Sequence, residues 1–335
     1  MEIIVPIRNL KRNNPMFRKG FKDHGIGDTL FARLKNMEKL LDFSKFYVKF
    51  EAGNPTGTMK DRASYATLWQ AKEKGYDTIA VASCGNFGAS IVKLSEIFEI
   101  TPHVYIPEKY HSPRISEMDQ MGGIIHRAPG TYEELVDISI REAEENEWYN
   151  GNPGTKENSE ISFEAYESIA YEIFDKLEYA PDAISVSVSN GTCFTGVFKG
   201  FRSLFRLGKT DKIPVMIAAS TAGGNPIITS YRKGKKTIQE LDPESIIETP
   251  ENEPIVNWKS LDGQHALDAL WESEGYACAI SDAIMIAFSD LLEKEEGLSV
   301  LPASAASVAA MSEYVKERAK TKDKCFVSVL TSRRY

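Results

Sequence analysis

The chain has 335 residues, 42% of them hydrophobic and 26% charged, with a formal net charge of -8 at pH 7. That length is too great for one small core and suits one or two α/β domains, while the negative balance excludes general nucleic-acid binding, which needs clustered Lys and Arg. No apolar run is long enough to span a bilayer, and in MEIIVPIRNLKRNN the charge follows the apolar piece, the reverse of a secretion signal; a cytoplasmic protein with no membrane partner is expected.

In chain order, KFYVKF (Lys45 to Phe50) reads as the first strand. EAGNPTGTMKDRAS then breaks the pattern with Asn-Pro and Thr-Gly, both turn signals. TMKDRASYATLWQAKEKG reads as a helix with Thr58 as N-cap and Lys60 and Asp61 in its first turn. Strands are expected at TIAVAS (Thr78 to Ser83), PHVYIP (Pro102 to Pro107) and GIIHRAP. Between and after them come the periodic IVKLSEIFEI, a helix from Ser112-Pro113 to Gly122-Gly123, and TYEELVDISIREAEENE with acidic residues in its first turn. The second half repeats the alternation. Helices are expected at EISFEAYESIAYEIFDKL, CFTGVFKGFRSLFRLG, DAIMIAFSDLLEKEEG and ASAASVAAMSEYVKERAK, and strands at DAISVSVSNGT, IPVMIAAST and KCFVSVL. Lys233 to Trp258 is polar and proline-bearing, a surface excursion. The alternation predicts an α/β fold of mainly parallel sheets flanked by helices.

Cys84, Cys193, Cys278 and Cys325 are scattered without C-x-x-C spacing, and the histidines form no H-E-x-x-H pair. Reduced thiols and no metal are expected. In open parallel sheets ligands bind beyond the carboxyl ends of the strands. The loops NPTGTMKDR, SCGNFGAS, SVSNGTCFTG and LTSRRY fall there. SNGTCFTG places backbone N–H groups at a helix start, where an anion such as phosphate is favoured. It is neither a nucleotide P-loop nor a dinucleotide fingerprint. Lys60, against the positive end of a helix dipole, has its pKa lowered and is a candidate nucleophile for a Schiff base.

NPTGTMKDR resembles the cofactor-lysine motif of fold type II pyridoxal-phosphate enzymes, most closely that of threonine synthases in the tryptophan synthase β-like superfamily. SCGNFGAS is similar to that family's Ser-x-Gly-Asn loop, SNGTCFTG to its phosphate loop, and Glu295 to Ala310 to the threonine synthase segment ending in Pro-Ala-Ser-Ala-Ala. The resemblance implies two α/β domains, a smaller one over 45–150 and a larger cofactor-binding one over 1–44 and 151–335, with pyridoxal 5'-phosphate in the cleft between them. It implies that Lys60 holds the cofactor and acts as base and acid, and that Asn86 bonds its ring hydroxyl oxygen. Ser189, Asn190, Gly191, Thr192 and Cys193 would cradle its phosphate, and the Thr331 hydroxyl would face the pyridine nitrogen. Substrate contacts would fall on Ser83, Gly85, Phe87, Arg114, Asn150 and Lys156. The implied activity is a lyase of amino-acid biosynthesis that acts as a homodimer and eliminates phosphate from a small amino acid such as O-phosphohomoserine before adding water.

Three positions depart from the threonine synthase pattern. Leu301 stands where a glutamate precedes Pro-Ala-Ser-Ala, the usual Thr-Pro reads Thr29-Leu30, and the chain stops at SRRY, an ending similar to that of cysteine synthases and cystathionine β-synthases. Leu301 and the SRRY ending keep open β-replacement on O-phosphoserine or O-acetylserine, giving a cysteine-, cysteate- or diaminopropionate-type product, and deamination of serine or threonine. A non-catalytic binding relative is the third reading.

Overall fold

The computed structural model describes residues 16–83, 85–110, 112–318 and 323–334. Two sheets organise it. The larger contains β1 (Phe31–Arg33), β2 (Lys45–Phe50), β7 (Ala183–Ser187), β8 (Val215–Thr221), β9 (Tyr276–Ile280) and β10 (Cys325–Leu330), in the order β1-β2-β10-β7-β8-β9. Only β1 runs antiparallel to its neighbour. The smaller sheet is all parallel, with the order β5-β4-β3-β6 built from β3 (Thr78–Ala82), β4 (Thr101–Pro107), β5 (Ile124–Ala128) and β6 (Tyr149–Asn150).

The central strands read as apolar runs because helices cover both of their faces. β7 and β10 are buried along their whole length. Side chains alternate across a strand, so each strand feeds two cores. Phe326 and Leu330 of β10 enter one cluster, under α2 (Lys35–Leu41), α11 (Asp282–Glu296) and α12 (Pro302–Arg318), while Val327 and Val329 enter the opposite one. That second cluster lies under α7 (Lys156–Leu177), α8 (Thr192–Arg206) and α10 (Gly263–Glu272). In the smaller sheet, Ile79 and Val81 pack toward α3 (Lys60–Glu73) and α4 (Asn86–Phe98), and Ala80 and Ala82 pack toward α6 (Tyr132–Glu145).

Local chemistry fixes the helix ends. The Thr131 hydroxyl accepts from the Glu134 N–H while the Glu134 carboxylate accepts from the Thr131 N–H, a capping box that starts α6. Ser112 caps α5 (Pro113–Gln120), with Pro113 at its first position. Gly297, at φ 70°, ends α11.

Two features differ from the sequence expectation. β2, placed by sequence in a smaller domain over 45–150, pairs in parallel with β10 in the larger sheet, because its ladder partner is contributed by the far end of the chain. β1, α2, α9 (Pro226–Arg232), α10 and β9 add elements that no long periodic run announces; α9 is seven residues and β1 three. α7 and α8 approach so closely that a Cβ on Gly196 would lie 2.5 Å from the Tyr166 Cβ, and one on Gly200 2.6 Å from the Ala170 Cβ. Gly200→Val should therefore cost about 1–3 kcal/mol or more through overpacking, read as a lower urea midpoint; an unchanged midpoint would mean that the two helices can separate freely.

Candidate active site

The loop between β2 and α3 is fastened by charge. Arg62 is fully buried and donates Nε to Glu51 Oε2 at 2.7 Å and Nη2 to Glu51 Oε1 at 2.8 Å. On its other side it donates Nη1 to Glu172 Oε1 at 2.6 Å and Nη2 to Glu172 Oε2 at 2.8 Å, with Nη1 also reaching Ser168 Oγ at 2.8 Å. Lys49 Nζ completes the group, 2.6 Å from Glu172 Oε2 and 2.7 Å from the Thr29 carbonyl. Two cations meet two carboxylates, so the group is neutral. Burial alone would lower the Arg62 pKa, but Glu51 and Glu172 hold it above the ordinary arginine value. Burial alone would raise Glu51, and Arg62 instead brings it below the usual carboxylate range.

Lys60 opens α3, one turn from this network. Its N–H lies 3.3 Å from Thr58 Oγ1, but the residue in the N-cap position is Met59, so Thr58 supports the helix start from one residue earlier than expected. Beside Lys60 the buried Asp61 accepts from the Thr56 N–H at 2.7 Å, the Thr56 hydroxyl at 2.6 Å and the Ser90 hydroxyl at 2.6 Å. Lys60 itself is half-buried, and burial pushes its amine below the ordinary lysine pKa. Cys193 and Asp262 oppose that shift. Because burial keeps the Cys193 thiol neutral, raising its own pKa, Asp262 is the effective opposing charge.

Three further segments converge on Lys60. Its Nζ lies 5.9 Å from the centre of the Phe87 ring, which brings the loop after β3 alongside. Cys193, in the first turn of α8, and Asp262, just before α10, are near enough to act on the Lys60 charge. The third is Thr331, just past β10: its carbonyl accepts from the Met59 N–H at 2.8 Å, and its N–H donates to Ser304 Oγ at 2.7 Å. Arg333 N–H donates to the Gly57 carbonyl at 2.9 Å, so the SRRY ending packs on the lysine loop; its Tyr335 lies outside the described residues.

The loop 189–192 leads from β7 into the start of α8. Gly191 is at φ +89°, and an added Cβ would stand 2.7 Å from the Ala266 Cβ, so both conformation and space require glycine. Residues that the sequence reading missed hold the loop in place. Asn190 Oδ1 accepts from the Leu261 N–H at 3.1 Å, the Ser189 carbonyl accepts from Asn225 Nδ2 at 3.1 Å and from Ser260 Oγ at 3.2 Å, and the Thr192 hydroxyl donates to Asp262 Oδ2 at 2.6 Å. The Thr192 hydroxyl proton is thus committed to a carboxylate. Asn225-Pro226, a helix-start signal, was the visible hint of this support.

The expected substrate residues divide. Ser83 Oγ accepts from the Gly88 N–H at 2.9 Å, and a Cβ on Gly85 would meet open space; Cys84 between them lies outside the described residues. Arg114 is buried and bonded to Asn86, Thr56 and Glu117. Asn150 Oδ1 accepts from the backbone and side chain of Asn152 at 3.0 and 2.9 Å, and Lys156 is exposed at the start of α7. A cavity of about 560 Å³ beside α5, lined by residues such as Ser112, Ser116 and Arg127, includes none of the convergent loops. Among the described residues no cluster of three or more His, Cys, Asp or Glu could hold a metal ion, and no helix is long and apolar enough to cross a membrane.

A glycine loop at a helix start, a lysine with a depressed pKa, an Asn at a helix start and a hydroxyl at a strand end fit a phosphorylated aldehyde cofactor with a ring nitrogen. Comparison with known proteins gives the family. Residues 22–332 match the family described as pyridoxal-phosphate dependent enzyme. The chain is 31% identical over 313 residues to a threonine synthase of Methanocaldococcus jannaschii, covering 91% of this chain and 74% of that one. A threonine synthase of Methanosarcina acetivorans is 29% identical over 308 residues, covering 91% and 74%. The fold resembles threonine deaminase isoform 2 of Solanum lycopersicum with a TM-score of 0.81 at 15% identity, covering 99% of this chain and 86% of that one.

Removing one member of the buried quartet strands a charge. Arg62→Met should destabilise by about 3–5 kcal/mol, seen as a lower melting temperature; near-native melting would mean that water reaches Glu51. Glu172 is held below its ordinary value of 4.5, at about 2: burial opposes the shift and the Arg62 charge overcomes it. Its stabilisation is therefore complete above pH 4.5 and is lost as pH falls toward 2. Glu172→Gln should be less stable than the native chain at neutral pH, with the gap closing through that window. A gap independent of pH would contradict the assignment.

Proposed function

We propose, from the premise that this chain belongs to the pyridoxal-phosphate dependent enzymes, that it is a lyase of the threonine synthase type acting on O-phosphohomoserine, releasing phosphate and adding water. Pyridoxal phosphate is the cofactor of the family and, when bound, supplies an electron sink for the substrate's α-carbon. The observation that carries the reading is the convergence of Phe87, Cys193 and Thr331 on Lys60. The remaining work falls to this chain's own residues. Lys60 holds the cofactor, and its amine, more readily neutral than an ordinary lysine, moves the proton at the substrate's α-carbon. The backbone N–H groups of 189–193 bind the cofactor phosphate. The Thr331 hydroxyl meets the ring nitrogen without forcing it to stay protonated, which suits elimination and replacement. The turn at Ser83, Gly85 and Phe87 takes the substrate carboxylate.

In this reading the chain forms two lobes, one around each sheet, and its working form is a cytoplasmic homodimer. Closure of the lobes over the substrate excludes water from the wrong steps. A second reading, β-replacement or deamination of a serine derivative, is favoured for the substrates that carry no phosphate by one observation: Arg114, a candidate ligand for the substrate's phosphate, already pairs with Glu117 at 2.6 Å.

The test is the visible absorption of the protein reconstituted with pyridoxal phosphate, recorded while O-phosphohomoserine, O-phosphoserine, O-acetylserine, serine and threonine are added singly. A change with O-phosphohomoserine together with phosphate release supports the first reading; a change confined to serine derivatives replaces it with the second. Lys60→Ala should abolish the absorption of the covalently held cofactor and turnover, and retention of both would remove Lys60 from its role. Thr331→Ala should lower turnover while the melting temperature holds; unchanged kinetics would mean that another group meets the ring nitrogen.

A further inference from the structure

We propose that Arg114 is a positioning residue, which orients the Asn86 amide and ties it to the lysine loop, and is not a ligand for a substrate's phosphate. The inference rests on the cofactor site proposed above. Its side chain is only 3% exposed, so its hydrogen-bonding groups face protein. Nε donates to Asn86 Oδ1 at 3.0 Å, Nη2 to the Thr56 carbonyl at 2.8 Å and Nη1 to Glu117 Oε2 at 2.6 Å. One guanidinium thereby joins the first residue of α4, the loop leading to Lys60, and its own helix α5. The Ser112 cap, accepting from the Arg114 N–H at 3.2 Å, fixes Arg114 in the first turn of that helix.

Two consequences follow. The two ends of an amide have opposite hydrogen-bonding character. With Oδ1 accepting from Arg114, the amide's orientation is set by the guanidinium, and Nδ2 is its donor end. Glu117 also balances the guanidinium charge, so Arg114 meets the site as a neutral pair with little attraction for a phosphate dianion. The same chain of contacts reaches the lysine: Thr56, held by Arg114, donates twice to Asp61, the neighbour of Lys60, and Asp61 accepts in turn from Ser90 of α4. Three acceptors spread around one planar fork call for arginine; the single ammonium of lysine does not span them.

The experiment uses the full chain reconstituted with pyridoxal phosphate and compares the native protein with Arg114→Lys, Arg114→Gln and Asn86→Ala. The visible spectrum, the affinity for pyridoxal phosphate and inhibition by inorganic phosphate are measured for each. Both Arg114 variants should shift the spectrum in the sense of Asn86→Ala and loosen the cofactor about tenfold, the loss expected for one charge-assisted hydrogen bond. The double variant Asn86→Ala/Arg114→Lys should lose less than the sum of the two single losses, because the two variants share one contact. Arg114→Lys keeps a cation beside Glu117, so the comparison stands even where Arg114→Gln does not fold. Native spectra and affinity in Arg114→Lys, with phosphate inhibition retained there and lost in Arg114→Gln, would overturn the proposal and make Arg114 an anion ligand. A native chain that takes up no pyridoxal phosphate would instead overturn the cofactor site itself.

Discussion

Everything at the site depends on where the β2–α3 loop is held, and that is decided by a buried ionic quartet. Lys49 and Glu51 come from the end of β2 and the turn after it, Arg62 from the first turn of α3, and Glu172 from the long helix α7. Such a group adds little net stability over well-packed apolar residues, because desolvating four charges is costly. Its value is directional. Arg62 has a planar fork with fixed hydrogen-bond directions, and Glu51 also receives the Thr29 hydroxyl at 2.7 Å and Asn54 Nδ2 at 3.0 Å. Only one path of the loop satisfies all of these groups, and that path delivers Lys60 to the head of α3.

The sheets supply the rest of the geometry. Parallel order brings the carboxyl ends of β2, β7 and β10 to one side of the larger sheet, and the carboxyl end of β3 opens the turn at Ser83. Each loop leaving such an end is then fastened by hydrogen bonds to its neighbours. Thr331 is held between Met59 and Ser304, and the 189–192 loop between Asn225, Ser260, Leu261 and Asp262. Ser304 fits because α12 opens with small residues, Ala303 to Ala306, all buried against the sheet. A larger side chain there would lift the helix and release the strand end it holds.

The polar groups around the cleft are consequently of two kinds. Lys60, Phe87 and Gly85 are partly exposed. Arg62, Asp61, Arg114 and Asn158 are buried, and their side chains act on the first group by holding backbone and side-chain orientations. Asn158 shows the pattern at the edge of the smaller sheet: its Nδ2 donates to the carbonyls of Asn150 and Asn152 at 2.9 and 2.7 Å, and its Oδ1 accepts from the Tyr149 hydroxyl at 2.7 Å. Residue type alone does not distinguish a polar residue that braces a loop from one that meets a ligand.

The sequence by itself determined the α/β alternation, the buried strands and the lysine loop, because these rest on local signals: apolar runs, caps such as Thr131 and Ser112, and turn residues around Asn54-Pro55. Motif resemblance singled out Lys60, Asn86, Ser189 to Cys193 and Thr331 as candidate site residues. Short elements such as β1 and α9 carried too few residues to establish a period. Only the tertiary structure decided what those residues touch. Pairing of β2 with β10 joins residues 45 and 325, and the support of Asn190 by Asn257 and Leu261 crosses about seventy positions. The commitment of Arg114 to Asn86, Thr56 and Glu117 likewise depends on three elements meeting. Contacts between distant segments arise from packing and from the need to satisfy buried polar groups, and neither leaves a periodic trace in the chain that carries it.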